Sequence, residues 1–397
     1  MNVRDIQKIH DSGLITGEQR DRIVAHFQLK EESNRFLVVV SFLGAILVGA
    51  GIILMVAAHW EDIPRGVKLA GGLALMLGAH GAGWWLREGR KDYPKVGEAL
   101  HFAGSLIFLG NIALVGQIYH LSSRPPDALL LWWVGIAALP WLLRSAAQFA
   151  LLLIAFGVWF GFEINDSASI ILFNDQRQVL LYTLLGLVFG GFGLVLRRTS
   201  FEGFSVVAER LGLLAAGLFS FPLTWAGFMN WGGGREQINQ WIAPALAIAA
   251  AALAFAGARN IKALTPQWRA IWAGTLAISA ALLLAATYVP VTNDWQWFGH
   301  MTAFNTIAAI AIFVFCLLEV QVGVQEGSAF LVNFGVVFVA LDIIATYIGL
   351  IGSMGKTGVM FVGSGILLIL LAVFLERKRR GLMSQVRAAA TSRGVQL

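Results

Sequence analysis

Between Phe36 and Leu375 the chain alternates apolar runs of roughly 18 to 23 residues with short polar or basic breaks. About 20 helical residues are needed to cross a hydrocarbon core of about 30 Å, and in lipid only helices or closed barrels satisfy their own backbone groups. Twelve runs are counted, at 36–58, 67–86, 99–119, 127–143, 146–162, 178–196, 211–231, 241–258, 269–289, 298–318, 328–350 and 357–375. The pattern predicts an all-α, polytopic transmembrane helix bundle of about 12 spans, preceded by a small helical head. Runs four and five are short and parted only by Arg144-Ser145, which suits a tight helical hairpin or a partly re-entrant pair.

Composition agrees. Charged residues are 13% of the chain, hydrophobic residues 57%, and the mean hydropathy is +0.72. Soluble domains carry about 25% charged residues, so a water-soluble globule is a poor fit. The net charge of +6 does not point to nucleic acid, because residues 1–35 hold six basic and six acidic side chains and offer no stripe for phosphates. Cys316 is the one cysteine, which excludes an intrachain disulfide and a cysteine metal cluster. No metal and no cofactor is expected. The first apolar run opens only at Phe36, after a charged segment, and is read as a retained span rather than a cleavable signal.

Lysine and arginine set the orientation. With the N-terminus inside, 23 of the 29 fall on the inner side and 6 on the outer. The expectation is a bacterial inner membrane protein with both termini cytoplasmic. Tryptophans near run ends, Trp60, Trp231, Trp241, Trp295 and Trp297 outside and Trp84, Trp85, Trp141 and Trp268 inside, suit headgroup-level anchors. The organisation follows: a cytoplasmic head over 1–35, a first membrane half over 36–198 (spans one to six), a second over 199–375 (spans seven to twelve) and a basic cytoplasmic tail over 376–397. The two halves do not align as a repeat.

Glycines at Gly44, Gly49 and Gly51, at Gly186, Gly190, Gly191 and Gly193, and at Gly363 and Gly365 thin their spans for close helix packing. Pro140 and Pro222 mark kinks, and Pro222 is the better site for a broken helix. In the head, a helix over Val3–His10 ends at Asp11-Ser12-Gly13. A second starts at Thr16, whose hydroxyl caps the backbone while Gln19 reaches back.

Several stretches together resemble a family. They are Ser12-Gly13-Leu14-Ile15-Thr16 with Glu18-Gln19, a glycine-rich first span ending in Ala57-Ala58-His59-Trp60-Glu61-Asp62-Ile63-Pro64, then Gly116-Gln117-Ile118-Tyr119-His120-Leu121-Ser122, Leu131-Trp132-Trp133 and Pro140-Trp141-Leu142-Leu143-Arg144-Ser145. Over about residues 8–165 the chain resembles bacterial predicted membrane proteins grouped as a domain of unknown function. The resemblance implies a bacterial inner-membrane protein and brings no activity with it.

Ionisable groups at membrane depth are costly and are functional candidates for that reason. Asp342 is the deepest acid in this reading, with Thr346 one turn on, and either handles an ion or proton or partners a hydroxyl or histidine. His80 lies in span two as a packing group or a relay. Asn111, Asn305 and Asn333 suit bonds between helices. A second group gathers at the outer ends: Trp60, Glu61, Asp62, Gln117, Tyr119, His120, Glu163 and His300. Carboxylates and histidines together bind cations, relay protons or act as acid and base, and they also simply face water. No P-loop, nucleophile elbow, zinc-protease or dinucleotide motif is present. Gly232-Gly233-Gly234 reads as an outer turn.

Three functions stay open. The first is transporter-like handling of a small solute, ion or lipid. The second is a membrane-embedded enzyme acting on a lipid or envelope substrate at the outer face. The third is a non-catalytic scaffold or envelope-stress component. Expected partners are the bilayer itself, with anionic lipid at the tail basic residues Arg377-Lys378-Arg379-Arg380, and a second copy or an envelope protein, with no nucleic acid.

Overall fold

The computed structural model describes Ile6, residues 10–26, 60–89, 94–169, 171, 178–224, 241–288, 296–298 and 301–351, and scattered positions over 365–381. The chain divides into two compact units, Met1–Gly71 and Gly72–Leu397. Expectations for spans 36–58 and 357–375, for Gly44, Gly49, Gly51 and Gly363, for Gly232-Gly233-Gly234, for His300, for the tail beyond Gly381 and for most of Val3–His10 lie outside the described residues.

In the first unit, α1 (Gly17–His26) starts as its sequence dictates. The Thr16 N–H donates to Gln19 Oε1 at 2.9 Å, and the Gln19 N–H donates to Thr16 Oγ1 at 3.3 Å, which closes a reciprocal capping box. Gly13 turns the chain just before it, at φ +77°, a backbone region that glycine enters without penalty. Lys68 Nζ stands 4.4 Å over the Trp60 ring, a cation–π contact where α2 (Arg65–Trp84) begins.

After a π-helical turn, Trp85–Gly89, the second unit continues with α3 (Pro94–Tyr119), α4 (Pro125–Ile136), α5 (Leu139–Leu143), α6 (Ala146–Asn165), α7 (Gln178–Leu196) and α8 (Glu202–Ser220). Then follow α9 (Ile242–Ala258), α10 (Pro266–Tyr288), α11 (Ala303–Glu326) and α12 (Ala329–Ile351). A short antiparallel ribbon, β1 (Gln296–Phe298) with β2 (Met301–Thr302), precedes α11. Among the described residues seven helical stretches are long and apolar enough to cross a membrane: Pro94–Tyr119, Pro125–Leu143, Ala146–Asn165, Gln178–Leu196, Glu202–Thr224, Asn305–Glu326 and Ala329–Thr346. Helices α2 and α10, of 20 and 23 residues, coincide with two more of the runs, and α9 is a shorter apolar helix of 17.

Two helices overrun their predicted ends. Helix α8 starts at Glu202 rather than 211, and α11 runs to Glu326 rather than 318. The reading from sequence stopped at charges, but Glu209, Glu319 and Glu326 each find a partner inside the bundle and the helices carry on through them. At the other end of α8, the α-helix stops beside Pro222, and the remainder of the predicted span beyond Thr224 lies outside the described residues. The α-helix closes at Ser220 and tightens into a 3-10 turn over Phe221–Thr224. Pro140 sits in the first turn of α5, where a missing N–H costs nothing. Arg144, at φ +46°, reverses the chain in a left-handed conformation, and Ser145 caps α6 by accepting the Gln148 N–H at 3.2 Å. The tight hairpin predicted there is present.

Helix α7 is the spine of the second bundle. A Cβ added to Gly186 would meet the Gly212 carbonyl at 2.7 Å and the Ala216 backbone, and one on Gly193 would meet the Ser205 carbonyl at 2.8 Å. The glycine face of α7 thus lies directly on α8, as small-residue packing in lipid requires. On its other side, one on Gly191 would meet Leu253 of α9 at 2.8 Å. Leu180, Leu184, Leu223, Ile261, Trp272 and Phe334 fill the core around it. A separate core of Trp132, Ile136, Leu151, Leu152 and Ala155 joins α4 to α6.

Candidate functional site

Two buried polar layers stand out in the second unit. The first belongs to α7, α8 and α10–α12. Glu319 of α11 is 3% exposed, and its Oε1 accepts the Trp272 indole N–H at 2.8 Å. One turn back on the same helix face is Cys316, and seven residues on is Glu326. Asp342 of α12, 4% exposed, lies two helical turns beyond Gly335, the point where α12 presses on the Cys316 carbonyl. Its Oδ1 has no hydrogen-bond partner. Thr346, the neighbour expected to share a bond with it, leaves that oxygen open.

Arg197 closes this layer at the end of α7. Its guanidinium holds Glu209 through Nε and Nη2, both at 2.6 Å, and Glu326 through Nη1 at 2.7 Å and Nη2 at 3.1 Å. Burial works against the Arg197 charge, but the hydrogen bonds to Glu209 and Glu326 outweigh it and raise its pKa above the ordinary arginine value. A cavity of about 30 Å³ touches Arg197, Glu209, Trp272 and Glu319, and another of about 50 Å³ touches Thr183, Ser220, Ser279 and Cys316. Each has room for water, which needs about 10–15 Å³ by that measure.

The second layer joins α2, α3 and α6. His80 Nδ1 meets His101 Nδ1 at 3.0 Å, so the two imidazoles share one proton between those nitrogens. His80 is thus a hydrogen-bonded histidine inside the bundle. The Ser105 hydroxyl reaches the His101 carbonyl at 3.2 Å and Gln148 Oε1 at 3.0 Å, and the Trp132 indole donates to the Ser105 carbonyl at 2.9 Å. Ser145 Oγ bonds Glu98 at 2.5 Å. Glycines let the helices meet here: a Cβ on Gly104 would strike the His80 ring at 2.7 Å, and one on Gly97 the Gly83 carbonyl at 2.6 Å.

The outer-end candidates described in the second unit differ in their surroundings. Gln117, Tyr119 and His120 are exposed where α3 ends, with His120 left-handed at φ +49°. Glu163 is buried instead, accepting from Ser169 Oγ at 2.5 Å and lying 3.5 Å from Arg124 Nη1. Arg124 also binds Asp127 at 2.8 Å and lies 3.7 Å from Asp166, so Glu163 belongs to a closed ion cluster. Glu61 and Asp62 are exposed in the first unit, beside Trp60. Asn111 donates to the Gly72 carbonyl at 3.0 Å and Asn305 to the Leu223 carbonyl at 2.8 Å, both between elements as expected. Among the described residues no group of three or more His, Cys, Asp or Glu side chains is placed to hold a metal ion.

Sequence reasoning missed Glu319, Trp272, Arg197, His101, Ser105 and Gln148. Glu319 had a signal, since it and Glu326 are a heptad apart and are the only charged residues on that helix. Gln148 had another in the Ser145-x-x-Gln148 spacing of a helix start.

Long apolar helices, glycine-thinned contacts and polar layers buried between helices define a multi-pass helical membrane protein. Residues 7–149 match the model of a family described as predicted membrane protein (DUF2157), which bears out the resemblance read from the sequence over that stretch. No curated protein matches the chain, and no solved structure does.

Proposed function

We propose that this protein is transporter-like and moves protons through the Glu319–Asp342 layer in the course of handling a small solute, ion or lipid. One observation carries the reading: Asp342 Oδ1 is buried in the core of the bundle and closes no bond. An ionised carboxyl at that depth costs several kcal/mol unless paired or hydrated. Neither Glu319 nor Asp342 forms an ion pair among the described residues, so packing alone leaves Asp342 without a role. The two small cavities support the reading, because one with room for water touches Arg197 and Glu319 and the other touches Cys316. The enzyme alternative has less support, since Gln117, Tyr119 and His120 stand exposed while Glu163 is held by Arg124 and Ser169.

The same reading takes the chain as twelve crossings in two halves of six, in a bacterial inner membrane with both termini cytosolic. The lysine and arginine count of 23 against 6 supports that orientation. The basic tail then meets anionic lipid, and the head over residues 1–35 meets a second copy or an envelope protein.

The test is proton flux. The full chain is reconstituted in vesicles loaded with a pH-sensitive dye, and an imposed pH gradient is followed. Wild type is expected to dissipate the gradient, and Asp342→Asn and Glu319→Gln, eluting as folded protein, to do so at least tenfold more slowly. Wild-type flux in Asp342→Asn would remove that residue from the mechanism and the reading with it.

A further inference from the structure

We infer that the adjoining ends of α2, α3 and α6 form a binding site for a phosphate group, brought by a lipid headgroup or as the free ion. Three buried nitrogens in this layer have no hydrogen-bond partner: Arg87 Nη1, His101 Nε2 and Gln148 Nε2. Two belong to side chains almost wholly withdrawn from solvent, His101 at 3% and Gln148 at 0% exposure. Each open buried donor costs roughly 1–3 kcal/mol, and native interiors leave few such groups without a reason.

The three belong to one layer. The Ser105 hydroxyl touches both Gln148 Oε1 and the His101 carbonyl. Arg87 and His101 flank the glycine contact between α2 and α3: a Cβ on Gly97 would lie 2.7 Å from Arg87 Cβ, and one on Gly83 would lie 3.1 Å from His101 Cδ2. Arg87 itself sits in the π-helical turn Trp85–Gly89, a distortion often found at functional sites.

The chemistry selects an oxygen-rich acceptor. Guanidinium and amide nitrogens only donate, and His101 Nε2 carries the proton and donates in the tautomer where His101 Nδ1 accepts the hydrogen bond from His80 Nδ1–H. The planar arginine fork suits phosphate oxygens. Two carboxylates are close. Glu98 is held by Ser145 Oγ, and the half-exposed Glu88 pairs with Arg87 through Nε at 3.5 Å, leaving the Nη1 edge open. The depth fits as well: Trp84 and Trp85 stand exposed at the same end of α2, where indoles mark the headgroup level.

The experiment uses the full chain, delipidated in neutral detergent and titrated with phosphatidylglycerol, with a diacylglycerol of the same chains, or with inorganic phosphate. Thermal unfolding and bound phosphorus per chain are the readouts. Expected are one phosphatidylglycerol per chain, no comparable binding of diacylglycerol, and at least a tenfold weaker affinity in Arg87→Gln and in Gln148→Leu. Saturable binding of inorganic phosphate that competes with the lipid upholds the site and assigns it to the free ion. Diacylglycerol binding as well as phosphatidylglycerol, no binding of either phosphate source, or wild-type affinity in Arg87→Gln would overturn the inference. Arg87 lies at a helix end, so that variant reads binding even where Gln148→Leu fails to fold.

Discussion

The Trp272 indole N–H and Glu319 Oε1 are joined by a 2.8 Å hydrogen bond between two buried side chains, on α10 and α11. It is a direct polar tie from α10 to α11 within the core around α7, and it places a carboxyl beside a cavity that also touches Arg197 and Glu209. Trp272→Phe keeps an aromatic ring but removes the donor along with part of the indole. Leaving the carboxyl oxygen unsatisfied is expected to destabilise the protein by about 1–3 kcal/mol, read as a lower unfolding midpoint in detergent. Glu319→Gln keeps an acceptor oxygen for the indole and should cost less than Trp272→Phe. The opposite order would mean that the bond does not carry the contact.

Arg197 binds two carboxylates that approach from different helices. Removing it leaves both Glu209 and Glu326 partly buried without their cation, and breaking a buried pair from one side costs about 3–5 kcal/mol. Arg197→Met should therefore lower stability sharply. Arg197→Lys should recover only part of the loss, because an ammonium cannot reproduce the double contacts to both acids. A double-mutant cycle with Glu326→Gln checks whether α7 and α11 are coupled through this residue.

The glycine face of α7 gives a sharper test, because two glycines of one motif face different surroundings. A Cβ at Gly186 would enter the backbone of Gly212 and Ala216, whereas one at Gly190 meets nothing nearer than the Leu213 nitrogen at 4.0 Å. Gly186→Ala is expected to cost about 1–3 kcal/mol through overpacking. Gly190→Ala should be neutral or slightly stabilising, since alanine favours the helix by about 1 kcal/mol. Equal effects at the two positions would contradict the register of α7 on α8.

Gly104 lies under the His80 ring, 2.7 Å from where a Cβ would stand. Gly104→Ala should tilt that imidazole away from His101 and break their shared proton. Nitrogen chemical shifts of the two rings in the selectively labelled protein would report the loss. Unchanged shifts would show that the histidines do not depend on this contact.

Helix α7 is legible in the sequence almost to the residue, since the run over 178–196 and the helix Gln178–Leu196 coincide. Its packing is legible too, because the Gly186–Gly190 spacing is a local pattern with a direct physical meaning. The capping box of Thr16 and Gln19 is local in the same way. Helix ends at charged residues are not legible, as α8 and α11 illustrate. A glutamate ends an apolar run on any hydropathy scale, and whether it ends the helix depends on a partner far away in sequence. Glu326 and Arg197 are 129 residues apart, and Trp272 and Glu319 are 47 apart. The polar layers are hidden for the same reason. Asp342 stands out alone as an acid in an apolar run, but His101 and Gln148 acquire meaning only when α2, α3 and α6 are side by side.

The left-handed turn at Arg144 has a consequence for biogenesis. Two residues, Arg144 and the capping Ser145, are the whole connection between α5 and α6, so neither arm can settle in the bilayer while the other waits in water. The pair must leave the insertion machinery as one object, and a tag or glycosylation site spliced between them should leave the chain stranded before the remaining helices can assemble.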